Sequence, residues 1–337
     1  MRQRGIALAM QPGQRTEHVL PDALLDRLEQ LGVLLDRHPL ENFSDERARR
    51  ILAETEILIT GWGAPHVGAD ALSAAKGMKL VAHAAGTVKG IIGEEVFRSG
   101  VQVTHAAEAN AVPVAEFTLA AILFAGKQVF RFRDYYTSDR NRERTYPMQR
   151  LAIGNYGRTV GIIGASRIGR RVIDLLKSFE FKILLFDPTL STAQCAELGA
   201  EKCDLDTLMR MSDIVSLHAP SLPSTRHMID ASKLALMKDG ATLINTARGA
   251  IIDEAALLAT LATGRIDAII DVTDPEIPET SSAFYDLPNV FLTPHIAGAV
   301  GLERSRLGAM AVDEIERFLK GEPLLYTLTL ADLDRLA

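Results

Sequence analysis

Cysteine is nearly absent from this sequence. Two residues in 337, Cys195 and Cys203, cannot staple a chain of this length. They form no CxxC pair and fit a reducing compartment, so a cytoplasmic location is expected. Surplus basic charge is also lacking: the formal net charge is −6, against a nucleic-acid binder, whose phosphate contacts need a Lys/Arg excess. No uninterrupted apolar run approaches the roughly 18 residues of a membrane span, so no membrane partner is expected. The start, Met1-Arg2-Gln3-Arg4 followed by Gly5 to Met10, is basic and then apolar, but the run is short and Gln11-Pro12-Gly13-Gln14 lacks a small-x-small cleavage pattern. It reads as a first strand rather than a signal peptide. His83, His218 and His227 match no zinc spacing, and the two cysteines lie apart from them, so no metal is expected. There is no short repeat or low-complexity tract. What remains is an ordinary globular composition, 47% apolar and 24% charged, long enough for about two domains.

The first hundred residues alternate strand-like and helix-like stretches. Ile6–Ala9, Ile57–Thr60, Leu80–Ala82 and Val101–Val103 read as strands, and Asp22–Leu31 carries leucines at helical spacing. From Val112 to about Phe130 an Ala/Leu-rich helix is apolar most of the way round, as at a domain or subunit interface. A polar Arg/Tyr-rich segment, Arg131–Arg150, follows; Asp134, Asp139 and Glu143 interrupt its basic residues, so it reads as a solvated or dimer-contacting surface. A second alternating series then runs through strands Thr159–Gly164, Lys182–Phe186, Ile214–Leu217, Thr242–Asn245, Ala268–Val272 and Val290–Leu292. Helices are expected at Arg167–Phe179, Leu205–Met211, Ser232–Met237 and Glu254–Thr263, and one more near Met310–Leu319. Strands alternating with helices imply parallel, doubly wound sheets.

Thr159 to Gly169 is a strand, a tight turn and a helix start. Gly164 and Gly169 occupy the first and third glycines of G-x-G-x-x-G, and Ser166 stands at the second. A glycine there lets the turn approach a pyrophosphate. Serine either crowds that approach or donates its hydroxyl hydrogen to a phosphate oxygen. The helix N-terminus at Arg167-Ile168 still offers N–H groups and a positive dipole end. Asp187, closing the next strand, is placed to accept from ribose hydroxyls and to repel a 2′-phosphate, which favours NAD.

Three later segments resemble the D-2-hydroxyacid dehydrogenase family: Asp213 to Pro220 continuing to His227, Asn245 to Leu257, and Asp271 to Glu276 with Leu287 to Gly298. The helix around Val114-Ala115-Glu116 and, more weakly, the first hundred residues extend the likeness over nearly the whole chain. The resemblance implies an α/β fold of two doubly wound parallel-sheet domains. A Rossmann NAD-binding domain, residues 112–299, is inserted into a flavodoxin-like substrate domain, residues 1–111 and 300–337. It implies an active site in the interdomain cleft and a homodimer formed through the NAD-binding domain. The activity implied is the interconversion of a small 2-keto acid and its D-2-hydroxy acid with NAD(H).

By the same resemblance Arg248 holds the substrate carboxylate and carbonyl, a task that suits a planar, permanently charged fork. His295 is the acid/base, since keto-acid reduction consumes a proton. Glu276 bonds the other ring nitrogen and favours the imidazolium. The cofactor-binding set comprises Gly164, Ser166, Arg167, Ile168, Gly169, Asp187, His218, Ala219, Thr246, Ala247, Asp271 and Gly298. Asp271 is expected beside the nicotinamide carboxamide, or else as a strand-end carboxylate that binds backbone. His218 either borders the cofactor ring or is structural. Ala85, Gly86 and Thr87 match the loop that offers backbone N–H groups to the substrate carboxylate, although it has fewer glycines than usual and Lys89 replaces a common Asp. Trp62, in Gly61-Trp62-Gly63, stands where phosphoglycerate-specific members carry basic residues. It argues for an unphosphorylated substrate or is simple packing. Two other readings stay open: a formate dehydrogenase, and an NAD-sensing corepressor-like binding module.

Overall fold

The computed structural model describes residues 4–11 and 14–333. The chain forms two compact units. One holds the residues up to Ala111 together with those from Ala299; the other is Val112–Gly298.

In the first unit, parallel strands β1 (Gly5–Ala9), β2 (Val33–Leu34), β3 (Thr55–Thr60), β4 (Leu80–His83) and β5 (Gln102–His105) lie in the order β5-β4-β3-β1-β2. This is the flavodoxin-like order. A short antiparallel strand, Thr327–Leu328, pairs with β5 at the outer edge. Side chains alternate between two buried faces, as an all-but-parallel sheet requires. Leu58, Val81 and Val103 pack under helices Glu46–Glu54 and Glu94–Arg98. Ile57, Ile59, Leu80 and Ala82 pack on the other face. There Leu28 of helix Asp22–Leu31 and Ala311, Val312 and Ile315 of the C-terminal helix Ser305–Lys320 cover them. Arg27 ties those two helices together through Asp313 (2.7 Å) and Glu316.

The second unit is a seven-stranded parallel sheet: β6 (Thr159–Ile163), β7 (Lys182–Phe186), β8 (Glu201–Lys202), β9 (Ile214–Leu217), β10 (Thr242–Asn245), β11 (Asp267–Ile270) and β12 (Val290–Leu292), in the order β12-β11-β10-β9-β6-β7-β8. The first six strands follow the Rossmann order with β12 added at one edge. β8 and helix Thr192–Leu198 carry no hydrophobic pattern long enough to announce them, so the sheet has one strand more than the sequence suggests.

Other boundaries shift for physical reasons. The apolar helix spans Ala107–Gly126, starting five residues before Val112, because Ala106 ends the preceding loop and Pro113 is accommodated inside the helix. The division between the two units falls within this helix, next to that proline. By length and composition the helix is apolar enough to cross a membrane. Ala115, Ala121 and Ile122 are spent in the core of the second unit. The Arg/Tyr-rich segment is mostly helical, Val129–Asp139 and Thr145–Met148. The helix after the fingerprint stops at Leu176, short of Phe179.

Candidate active site

Three neighbouring strands of the second unit end in register. Asn245 pairs with Ile270, and Ile270 with Leu292. Their C-terminal ends therefore deliver three segments to one edge of the sheet, where ligands bind in open α/β folds. The first carries Arg248, the second Asp271 to Glu276, the third His295.

Asn245, fully buried, shapes the first segment. Its Oδ1 accepts the Ala247 N–H at 3.0 Å and its Nδ2 donates to the Arg248 carbonyl at 3.0 Å. This is an Asx turn, and an Asn closing a strand is its sequence signal. Thr246 meets Thr118 of the apolar helix, hydroxyl to hydroxyl, at 3.0 Å. The Arg248 side chain is half-buried and donates once, to the Ala247 carbonyl at 2.6 Å. Among the described residues no carboxylate lies in ion-pair range of it. Burial lowers its pKa, opposed by the field of Glu276. A guanidinium with most of its five donors unspent is ready for an anion.

Gly249 brings this turn against the second segment. A Cβ there would lie 2.1 Å from the Thr273 carbonyl carbon and 2.5 Å from the Asp274 nitrogen. Thr273 in turn donates its hydroxyl to the Glu276 carbonyl at 3.1 Å.

Asp271, 2% exposed, organises the third segment. Its Oδ1 accepts the Thr293 hydroxyl (2.6 Å) and the Ile296 N–H (2.8 Å), and its Oδ2 accepts the Ala297 N–H (2.9 Å). Its backbone carbonyl accepts from His295 at 2.9 Å. The carboxylate thus shapes the turn that carries His295, and three of its roughly four acceptor positions are already filled. His295 has φ +54, a left-handed conformation rare outside glycine, held by these bonds. Its Nδ1 is hydrogen-bonded to Glu276 Oε1, with both side chains about half exposed.

The fingerprint turn lies at β6. Gly164 has φ +94, and a Cβ there would meet the Ala219 nitrogen at 2.7 Å; a Cβ on Gly169 would meet the Gly164 carbonyl oxygen at 2.1 Å. Both glycines are steric requirements. Ser166 is the N-cap of helix Arg167–Leu176, its Oγ accepting the Gly169 N–H at 3.3 Å. The Ile168 side chain packs on the core, while that of Arg167 is exposed. Asp187 Oδ2 accepts the Ala165 N–H (2.8 Å), and its Oδ1 accepts both the N–H (2.8 Å) and hydroxyl (2.6 Å) of Thr189. Burial would raise its pKa, but these bonds outweigh it and hold the carboxyl below its usual range. His218, at the end of β9, is buried. Its Nε2 lies 2.9 Å from the Ser216 hydroxyl, its Nδ1 has no partner, and burial pushes its pKa down to about 3. Gly298 closes the unit. The glycine cradle, the helix N-terminus and the anchored carboxylate fit a dinucleotide.

Ala85, Gly86 and Thr87 belong to the first unit, in the loop after β4. Among the described residues no backbone carbonyl accepts from their N–H groups. His83, fully buried beneath it, pairs Nδ1 with the Thr60 hydroxyl at 2.9 Å. Asn245, Thr118, Thr189 and Gly249 are structural members of these sites that the motifs alone do not single out.

Fold and site together define an NAD-dependent oxidoreductase acting on a CH–OH group. The family model "D-isomer specific 2-hydroxyacid dehydrogenase, NAD binding domain" matches residues 119–297. A glyoxylate reductase of Aeropyrum pernix is 36% identical over 263 residues, covering 76% of this chain and 78% of that one. A hydroxypyruvate reductase of Thermotoga maritima is 31% identical over 294 residues, covering 85% and 94%. The NAD-complexed D-isomer specific 2-hydroxyacid dehydrogenase of Lactobacillus delbrueckii ssp. bulgaricus shares the fold, with a TM-score of 0.82 at 22% identity over 96% of this chain and all of that one. The chain belongs to the D-isomer specific 2-hydroxyacid dehydrogenase family.

Proposed function

We propose that the protein reduces a small 2-keto acid to its D-2-hydroxy acid, with Arg248 binding the substrate and His295 and Glu276 acting as the acid/base pair. The observation that carries this reading is the hydrogen bond between Glu276 and His295 Nδ1. It orients the ring and leaves Nε2 to hold the proton that a reduced carbonyl oxygen must receive. Formate oxidation moves only a hydride and has no use for such a pair. Bound NADH supplies the hydride. Arg248 neutralises the substrate carboxylate and polarises the carbonyl, and the backbone N–H groups of Ala85, Gly86 and Thr87 are donors for a substrate carboxylate. Asp187 favours NADH over NADPH by repelling a 2′-phosphate. A homodimer through the NAD-binding unit and a cytoplasmic location complete the reading, and a binding-only sensor would show no steady turnover.

The test is a panel of 2-keto acids with NADH. Arg248→Ala is expected to abolish most turnover, and Arg248→Lys to restore only part of it, because lysine lacks the planar fork. Glu276→Gln keeps the shape and removes the carboxylate bonded to His295 Nδ1. Reduction and hydroxy-acid oxidation should both lose kcat/KM, because the ring is then less firmly oriented for proton transfer. Near-normal kcat/KM in Arg248→Ala or in Glu276→Gln refutes the assignment.

A further inference from the structure

The strand order of the first unit reverses between β1 and β3: from β1 the sheet grows to β2 on one side, and from β3 to β4 and β5 on the other. Open α/β sheets bind ligands in the crevice at such a reversal, outside the C-terminal strand ends. Two segments meet there. Gln11, following β1, donates its N–H to the Trp62 carbonyl at 3.0 Å, and Trp62 follows β3. The half-buried indole packs on Ala106, Ala109, Ala299 and Leu307. Arg304, from the 3-10 turn Gly301–Arg304 far along the chain, lies over the ring with its guanidinium carbon 5.6 Å from the centroid. Its Nε donates to the Ala299 carbonyl at 3.3 Å. No carboxylate lies in ion-pair range of it among the described residues; the adjacent Glu303 is occupied in capping the Val300 N–H at 3.0 Å. Sequence around Trp62 shows only an aromatic, and the fold supplies the missing cation from the other end of the chain.

We propose that Arg304, braced on Trp62, binds a second, distal carboxylate of the substrate, making the enzyme selective for 2-keto dicarboxylic acids. The proposal rests on the reading that the protein reduces a 2-keto acid. Thr60 of β3 pairs with His83 of β4, so the segments that carry Trp62 and Ala85 leave the C-terminal ends of adjacent strands, which are spaced about 5 Å apart. An acid whose first carboxylate sits on the N–H groups of Ala85 to Thr87 would need only a few carbons to bring a second one over Trp62. The ring fixes the plane of the guanidinium by cation–π contact and leaves its outer N–H edge to pair a carboxylate bidentately. One cation balances one carboxylate; a phosphate monoester would bring nearly twice that charge.

The experiment compares kcat/KM with NADH for 2-oxoglutarate, for 2-oxohexanoate as its apolar counterpart of similar length, and for 3-phosphooxypyruvate. Wild type, Arg304→Gln, Arg304→Lys and Trp62→Phe are measured, and 2-oxoglutarate binding is followed in parallel by calorimetry. Wild type is expected to prefer the diacid roughly tenfold or more, the scale of a charged hydrogen-bonded contact. Arg304→Gln should erase that preference, mainly through KM, and weaken diacid binding by a similar factor; Arg304→Lys should recover part of both. Equal use of diacid and monoacid by wild type overturns the proposal. So does an equal loss on both acids in Arg304→Gln, which would mark a structural contact, and so does a preference for the phosphorylated acid. If no keto acid turns over at all, the reductase reading fails; Arg304-dependent binding of 2-oxoglutarate then still decides whether the anion site exists.

Discussion

Ser166 has a use that its place in the fingerprint does not announce. Its backbone, φ −65 and ψ −180, is extended and open to any residue, so no glycine is required there. Its hydroxyl oxygen satisfies the Gly169 N–H, one of the first N–H groups that a helix cannot bond internally. The hydroxyl hydrogen remains available to a phosphate oxygen. The two roles separate by substitution. Ser166→Ala removes the cap and should cost about 0.5–2 kcal/mol of stability, whereas Ser166→Gly should cost only a few tenths, read by urea unfolding without cofactor. If the hydroxyl also donates to the cofactor, both variants bind NADH more weakly by titration. Alanine as stable as serine would dismiss the cap. Among single residues, legibility follows locality. Glu276 and His295 stand out because each lies in a distinctive motif, and the fold brings their side chains into contact. Thr118 does not stand out, because the only sign of its role is its bond to Thr246, far away in the chain. Arg304 is hidden for the same reason.

Between elements, the turn after β10 and the segment after β11 are packed backbone to backbone through Gly249. Gly249→Ala places a methyl where the Thr273 carbonyl already is, and no side-chain rotation can relieve that. Overpacking of this kind costs about 1–3 kcal/mol, and relief by moving Thr273 also drags Glu276. The expected result is a folded protein by circular dichroism with a lowered melting temperature and reduced keto-acid kcat/KM. Wild-type stability and activity in the variant would show that the two segments move independently. Elements themselves are legible where hydrophobic pattern is strong. Lys182–Phe186, Ile214–Leu217, Thr242–Asn245 and Val290–Leu292 are strands with the bounds that their apolar runs imply. β8 is illegible because it is only two polar residues, placed by backbone pairing to Leu184 and Leu185 and by the side-chain bonds of Glu201 to Lys182 and of Lys202 to the Leu190 carbonyl. The early start of helix Ala107–Gly126 is illegible because Pro113 reads as a boundary when it is in fact an interior residue.

At the scale of the whole molecule, two buried histidines make stability depend on pH. Burial pushes His83 down to about 4 and His218 to about 3. In the unfolded chain both take up protons near pH 6.5. Between those values the unfolded state binds more protons, so stability is full above about 6.5 and falls as pH is lowered toward 4. Urea midpoints at pH 7.5, 6 and 5 should decline, and His83→Asn should flatten the decline even if it lowers the plateau; a midpoint constant over this range would contradict it. The two-unit architecture is legible from the two alternating series of strands and helices. The identity of the acid is not, since it depends on side chains that meet only in the folded chain. One feature of that architecture also orders the protein's own making. Val112–Gly298 is continuous and emerges from the ribosome able to form its sheet and both helical layers. The first unit emerges earlier but stays unfinished, because Ala311, Val312 and Ile315 of the final long helix close one face of its sheet. The half made first is therefore completed last, and a chain interrupted after residue 298 leaves the face of Ile57, Ile59 and Leu80 only partly covered, the kind of surface that chaperones hold and proteases find.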